Sequence, residues 1–147
     1  MAGDYRQVLR NSSLISVATT AVRPHISDVS PCLPRTTILH VSLRDFSPEV
    51  ILASDNVVDD IDHVCQANTS VHLAEQAAAS RNFIRCTLAN IISNKEPARN
   101  SDFELTIFSP FGLGVLDLAV GKYVYDEACR HHLGLTMESF FNLKSQE

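Results

Sequence analysis

No glycine lies between positions 4 and 111 of this 147-residue chain; the five glycines are Gly3, Gly112, Gly114, Gly121 and Gly134. That gap excludes a glycine-rich phosphate loop from the whole stretch. No apolar run approaches the roughly 18 residues needed to span a bilayer. The polar start, Met1 to Ser13, lacks the apolar core of a signal peptide. A cytoplasmic chain without a membrane partner is therefore expected. Cys32, Cys65, Cys86 and Cys129 form no C-x-x-C pair. They read as reduced, mostly buried small side chains. His63, Cys65 and His72 match no common zinc spacing, so no metal is expected. Basic residues are the minority, 12 against 17 acidic ones, for a net charge of −5. That sign argues against nucleic acid as a partner.

What is present suits one soluble domain: 45% hydrophobic and 20% charged residues, in a chain long enough to bury a core without a disulfide or metal. Asp4–Arg10 reads as the end of a helix. Leu14–Thr20 and Thr37–Leu43 are β-branched and apolar and read as strands; Asn56–Asp59 and Phe103–Phe108 read as a third and fourth. Ser47-Pro48-Glu49 is a helix start, with a short helix to about Ala53. Asp60 to about Ala79 is helical, broken at Asn68-Thr69-Ser70 where a new cap begins, and Thr87–Ser93 suggests another helix. Leu113, Leu116, Val120, Val124 and Ala128 line one face of a helix from about Gly112 to His132, ended by Gly134. On that helix Tyr123 and Tyr125 read as packing residues, while the neighbours His131 and His132, about 100° apart, face solvent. Short strands alternating with helices imply an α/β fold with a parallel sheet.

In open parallel sheets ligands bind beyond the carboxyl ends of the strands. That rule selects Thr19 and Thr20, Ser42-Leu-Arg-Asp45, Asp59-Asp-Ile-Asp62 and Ser109-Pro-Phe-Gly-Leu-Gly114. The last begins like a dinucleotide fingerprint, but its third small position is Asp117, and too little chain follows for another strand. It is compatible with a plain glycine turn, and equally with a helix N-terminus offered to a ligand. Asp45 is suited to taking a proton or positioning a water, and Arg44 to holding a carboxylate, unless both sit on an ordinary exposed loop. Of Asp59, Asp60 and Asp62, one is expected to cap the following helix and the others to favour its positive end. Thr19 and Thr20 either bond a ligand or merely end a strand.

Longer stretches at these loops carry a resemblance. Asn56-Val-Val-Asp-Asp-Ile-Asp-His63, Ala67-Asn-Thr-Ser-Val-His-Leu-Ala-Glu75, Phe83-Ile-Arg85 and Thr106-Ile-Phe-Ser-Pro-Phe-Gly-Leu-Gly-Val-Leu-Asp-Leu-Ala119 resemble the ornithine cyclodeaminase/mu-crystallin family. Val41-Ser-Leu-Arg-Asp45 and Ser109–Gly114 look most like a branch that makes 2,3-diaminopropionate for siderophores and similar peptides. That branch uses NAD to oxidise the secondary amine of N-(2-amino-2-carboxyethyl)-L-glutamate, and water then splits the imine. The resemblance covers only the family's second half. It implies a partial Rossmann-like parallel sheet over residues 1–110, and over 111–147 a long helix returning to a substrate and dimerisation domain. It implies Asp45 as the catalytic group at the water, and Thr19, Thr20, Ser42, Arg44, Gly112, Leu113 and Gly114 as residues near NAD. It implies a small amino-acid-derived substrate, and a homodimer or a complementing N-terminal half. The family's pyrophosphate loop and substrate-binding basic residues have no counterpart here, so whether this chain alone is an enzyme stays open. With Leu14–Thr20 as the fourth strand of a 3-2-1-4-5-6 order, its neighbour is missing. Leu14, Ile15, Val17 and Ala18 are then expected to be open to another chain, and the last helix to leave its apolar stripe uncovered.

Overall fold

The computed structural model describes residues 4–100, 105–135 and 137. Phe103 and Glu104, expected to open the fourth strand, lie outside them. The chain divides into two compact units, Met1–Gly112 and Leu113–Glu147.

The first unit holds a five-stranded, all-parallel sheet. In chain order it runs α1 (Tyr5–Asn11), β1 (Leu14–Val17), β2 (Thr36–His40), α2 (Pro48–Leu52), β3 (Asp55–Val58), α3 (Ile61–Val64), α4 (Ser70–Ala78), β4 (Ile84–Thr87), α5 (Leu88–Ile92) and β5 (Leu105–Ser109). The strand order across the sheet is β1-β2-β5-β3-β4, so the last strand returns to the centre. Ile38 of β2 pairs with Ile15 of β1 on one side and Ile107 of β5 on the other. Residues 36, 38 and 40 of β2 are buried and 37 and 39 half-buried, the period-2 pattern of a strand with one well-covered face. The central strand β5 is buried at four of its five positions, and β3 at all four.

Helix starts follow capping chemistry. The Asp60 carboxylate accepts from the His63 amide at the head of α3, and Thr69 accepts from His72 at the head of α4. Thr87 and Asn90 form a reciprocal capping box on α5. Ser47 begins α2 without a side-chain cap bond; Pro48 supplies the preset φ instead. A main core gathers Leu9, Ile15, Val17, Ile38, Phe46 and Ile107 with their neighbours, and a smaller one Val58, Val64, Cys65, Val71 and Ile84. In the second unit, α6 (Gly114–Arg130) buries none of its residues.

Several expectations need correction. Among the described residues there are five strands, not four: Ile84–Thr87 pairs with β3 and was not anticipated. β1 stops at Val17 and β2 at His40, three residues short of each expected end, because the chain bends there to form the site. Among the described residues β1 has one strand partner, as expected of an edge. Ile15 and Val17, however, turn into the core, and Leu14 and Ala18 alone of the four apolar residues are exposed. Cys65 and Cys86 are buried, but Cys32 is half-buried and Cys129 exposed. Tyr123 and Tyr125 are exposed rather than packed.

Candidate functional site

The carboxyl ends of β1, β2 and β5 converge on Asp45. The segment Val41–Phe46 leaves β2 and is pinned from three sides. The Asp45 carbonyl accepts from the amides of His25 and Ile26, at 2.9 and 2.8 Å. The Leu43 carbonyl accepts from the Ser70 amide at 2.8 Å, and the Phe46 amide donates to Ser70 Oγ at 3.1 Å. Phe46 itself is fully buried in the main core. An apolar anchor directly after the aspartate thus fixes where the carboxylate lies.

Asp45 has 0% exposure, so it is not on an ordinary exposed loop. Burying an unpaired carboxylate costs several kcal/mol, on the order of the stability of a small domain. Three side chains offset that. Thr19 donates to Oδ1, Ser42 donates to Oδ2, and His40 Nε2 lies 3.1 Å from Oδ2. Burial pushes the Asp45 carboxyl up, but the bonds from Ser42, Thr19 and His40 outweigh it, and the group titrates below the usual carboxylate range. His25, on the exposed rim, places Nδ1 3.9 Å from Oδ1.

His40 is 1% exposed. Its Nδ1 lies 3.2 Å from the hydroxyl of Ser109, the last residue of β5, and its ring meets Phe46 edge-on, centroids 4.9 Å apart. Burial lowers its pKa, opposed by the Asp45 bond. Behind the ring, among His40, Ser42, Thr69 and Ser109, lies a cavity of about 10 Å³, the size of one water. A larger groove of about 190 Å³ runs between α1 and β1 and reaches Thr19 and His25.

The sequence-derived residues separate on this geometry. Thr19 and Ser42 join Asp45 directly. Thr20 is exposed one position further along. Arg44 donates Nη2 to the Ala67 carbonyl at 2.8 Å, bracing a turn in which Ala67 and Asn68 both have positive φ; its Nε is buried with no hydrogen-bond partner among the described residues. Gly112 has φ +100°, with open space where a Cβ would stand. Leu113 and Gly114 belong to the second unit, as N-cap and first residue of α6. Asp60 is the capping member of the acidic run, as expected of one of them. Asp59 does something else: its Oδ2 accepts from the amides of Phe111 and Gly112, at 3.0 and 2.7 Å, and so holds the turn after β5. His40, Ser109, His25 and this role of Asp59 were missed. The strand-end rule already pointed at Ser109 and Asp59, but nothing in the spacing singled out a histidine inside β2. Among the described residues no group of three or more metal-binding side chains gathers, and no helix is long and apolar enough to cross a membrane.

A parallel sheet with hydroxyl, imidazole and carboxylate groups clustered past its strand ends defines a Rossmann-like α/β domain. More particularly, the chain belongs to the ornithine cyclodeaminase/mu-crystallin family, whose profile matches residues 43–132. It is 21% identical to an N-((2S)-2-amino-2-carboxyethyl)-L-glutamate dehydrogenase of Staphylococcus aureus, over 92% of this chain and 40% of that one. It is 26% identical to a Delta(1)-pyrroline-2-carboxylate reductase of Bacillus cereus, over 92% of this chain and 43% of that one. The chain thus spans about two-fifths of the length of these curated relatives. Among solved structures, the Delta(1)-pyrroline-2-carboxylate reductase of Thermococcus litoralis, in complex with NADH and L-proline, superposes with a TM-score of 0.80. The two are 25% identical, over 90% of this chain and 42% of the other. An archaeal alanine dehydrogenase dimer with bound NAD shares the fold, at a TM-score of 0.77 and 23% identity, over 92% and 43% of the two chains.

Proposed function

We propose that this chain is the C-terminal portion of an NAD-dependent amino-acid dehydrogenase. Residues 1–110 belong to the later part of its Rossmann-like domain, and 111–147 to the segment, carrying α6, that returns to a substrate and dimerisation domain. The reaction we assign is oxidative cleavage of N-(2-amino-2-carboxyethyl)-L-glutamate to 2,3-diaminopropionate and α-ketoglutarate, in the cytoplasm. A homodimer, or a complementing N-terminal half, completes the site.

The observation that supports this most is the Asp45 cluster: a carboxylate out of water, met by Thr19, Ser42 and His40, at the end of a parallel sheet where ligands bind. The residues present suit one end of NAD. Gly112 faces open space, so a flat ring can approach its backbone, and the Thr19 and Ser42 hydroxyls lie beside Asp45. The loop from β1 to Arg35 has neither glycine nor helix, so that loop offers the pyrophosphate no helix N-terminus. Within the first unit, Thr19, Thr20, Ser42, Arg44 and Gly112 are the residues that would hold NAD, which when bound supplies a hydride acceptor. Asp45 orients the water that adds to the imine carbon. That water's oxygen becomes the keto oxygen, and the nitrogen leaves as the amine of diaminopropionate. A second reading, reduction of a cyclic imino acid, is favoured by the 26% identity to the Bacillus cereus reductase, higher than the 21% to the dehydrogenase.

The test is a coupled pair of assays. Calorimetry on the 147-residue chain alone is expected to show no micromolar NAD affinity. The chain joined to a matching N-terminal portion, sought by translating the DNA upstream of Met1, is expected to reduce NAD with N-(2-amino-2-carboxyethyl)-L-glutamate. Asp45→Asn then lowers turnover by about 100-fold or more while NAD affinity stays within a few-fold. Activity with proline instead supports the second reading. Tight NAD binding by the chain alone, or an unchanged rate in the variant, overturns the proposal.

A further inference from the structure

We infer that His40 is the positioning residue of this site: a neutral imidazole that donates Nε2–H to Asp45 Oδ2, accepts the Ser109 hydroxyl at Nδ1, and so locks the carboxylate plane beneath Thr19 and Ser42. The inference rests on Asp45 being the site's carboxylate. The contacts decide the proton's place. A carboxylate only accepts, so at 3.1 Å the nitrogen facing it carries the hydrogen. The reverse tautomer would set a bare ring nitrogen against a carboxylate oxygen, with only the Asp45 amide, 3.5 Å away, to satisfy it. In the neutral ring with Nε2 protonated, Nδ1 is an acceptor, and the Ser109 hydroxyl at 3.2 Å is the donor it needs.

The trio Asp45, His40 and Ser109 has the members of a nucleophilic triad but cannot work as one. Ser109 is 4% exposed, so its hydroxyl is not presented to a substrate. What the arrangement does is mechanical and electrostatic. Ser109 ends β5 and His40 ends β2, so two neighbouring strands brace a carboxylate carried on a loop. Phe46, edge-on to the ring, fixes its tilt. The groups facing the pair are few. Thr19 and Ser42 bond the carboxylate, Ser109 and the Thr69 side of the small cavity flank the ring, and His25 stands 3.9 Å from Oδ1. Arg44, next in sequence, turns to Ala67 instead.

Nitrogen-detected NMR of the imidazole rings in the 147-residue chain tests this without substrate or cofactor, so its outcome is independent of the reaction assigned above. His40 is expected as the neutral Nε2–H form at pH 7. The Nδ1–H form or a cation at that pH overturns the inference. Ser109→Ala, a mild change, is expected to move the Nδ1 resonance to that of a lone pair without a donor; no movement overturns the inference. Carbon-detected titration of Asp45 supplies the second readout. His40→Leu is expected to raise its midpoint by about one to two pH units. His40→Gln, which keeps a donor near the Nε2 position, is expected to restore most of that. An unchanged midpoint in His40→Leu, or no recovery in His40→Gln, counts against the role.

Discussion

A buried histidine and a buried aspartate one bond apart make the folded state sensitive to acid in two separate windows. Burial holds His40 neutral, with its pKa below the ordinary value of about 6.5. Below that ordinary value the unfolded chain takes a proton that the folded chain refuses, so stability is full above about pH 6.5 and is lost as pH falls towards the folded pKa. Asp45 has the same sign lower down. Its folded pKa is depressed, so its contribution is present above about 3.9 and disappears through the folded value. Urea unfolding between pH 7.5 and 5 is therefore expected to show a decline, and His40→Gln to flatten it. A decline of equal slope in that variant would move the effect to another group. Asp45 was legible from the sequence because a strand-end rule needs only the strand. His40 was not. Its partners lie 5 and 69 residues away, and a lone inward histidine in a β-branched run carries no period. Asp59 was half legible: a cap was expected in its run, but the amides it holds belong to Phe111 and Gly112, which only the fold brings near.

Elements were readable where local chemistry decides them. Ser47-Pro48, Asp60 and Thr69 announce α2, α3 and α4, and each helix starts within a residue of its signal. β4 was hidden because Arg85 sits in the middle of a four-residue strand, where a charge argues against burial. The structure resolves that with Asp55 of β3, whose carboxylate takes Arg85 Nε at 2.6 Å and Nη2 at 3.1 Å and also accepts from Thr106. A bidentate pair between adjacent strands is a tertiary fact that no single-strand pattern contains. The C-terminus of α4 carries a different local conflict. Ala79 caps it in the left-handed conformation, φ 49° and ψ 32°, where a Cβ costs about 1 kcal/mol. Ala79 is exposed, so its methyl contributes little packing. Ala79→Gly is expected to stabilise the chain by up to about 1 kcal/mol in urea unfolding, with its slope unchanged. A loss of stability would mean that the gain in unfolded-chain freedom outweighs the relief of strain.

At the scale of the molecule the feature that governs behaviour is the free side of β1. The carbonyls of Ser13 and Val17 accept from Thr37 and Val41, so these odd-numbered residues turn their polar groups towards β2. Leu14 and Ser16 alternate with them and turn theirs the other way, where among the described residues no strand follows. Leu14 is 65% exposed beside that row. An edge with free donors, free acceptors and an apolar side chain is a template for another chain. The sequence foretold this edge through the expected strand order, but not the burial of Ile15 and Val17, which leaves Leu14 as its accessible apolar contact within the strand. The 147-residue chain is therefore expected to self-associate in analytical ultracentrifugation, and Leu14→Lys to shift it towards monomer by placing a charge at the edge. Because Leu14 lies outside the core, the variant should retain its stability within about 0.5 kcal/mol. A wild-type chain that sediments as a monomer at all salt concentrations would remove the edge as a contact. Association undiminished in Leu14→Lys would transfer it to α6, whose residues Leu116, Val120 and Val124 are also exposed. A Leu116→Lys companion variant separates those two surfaces, since only the one that mediates contact loses it when charged.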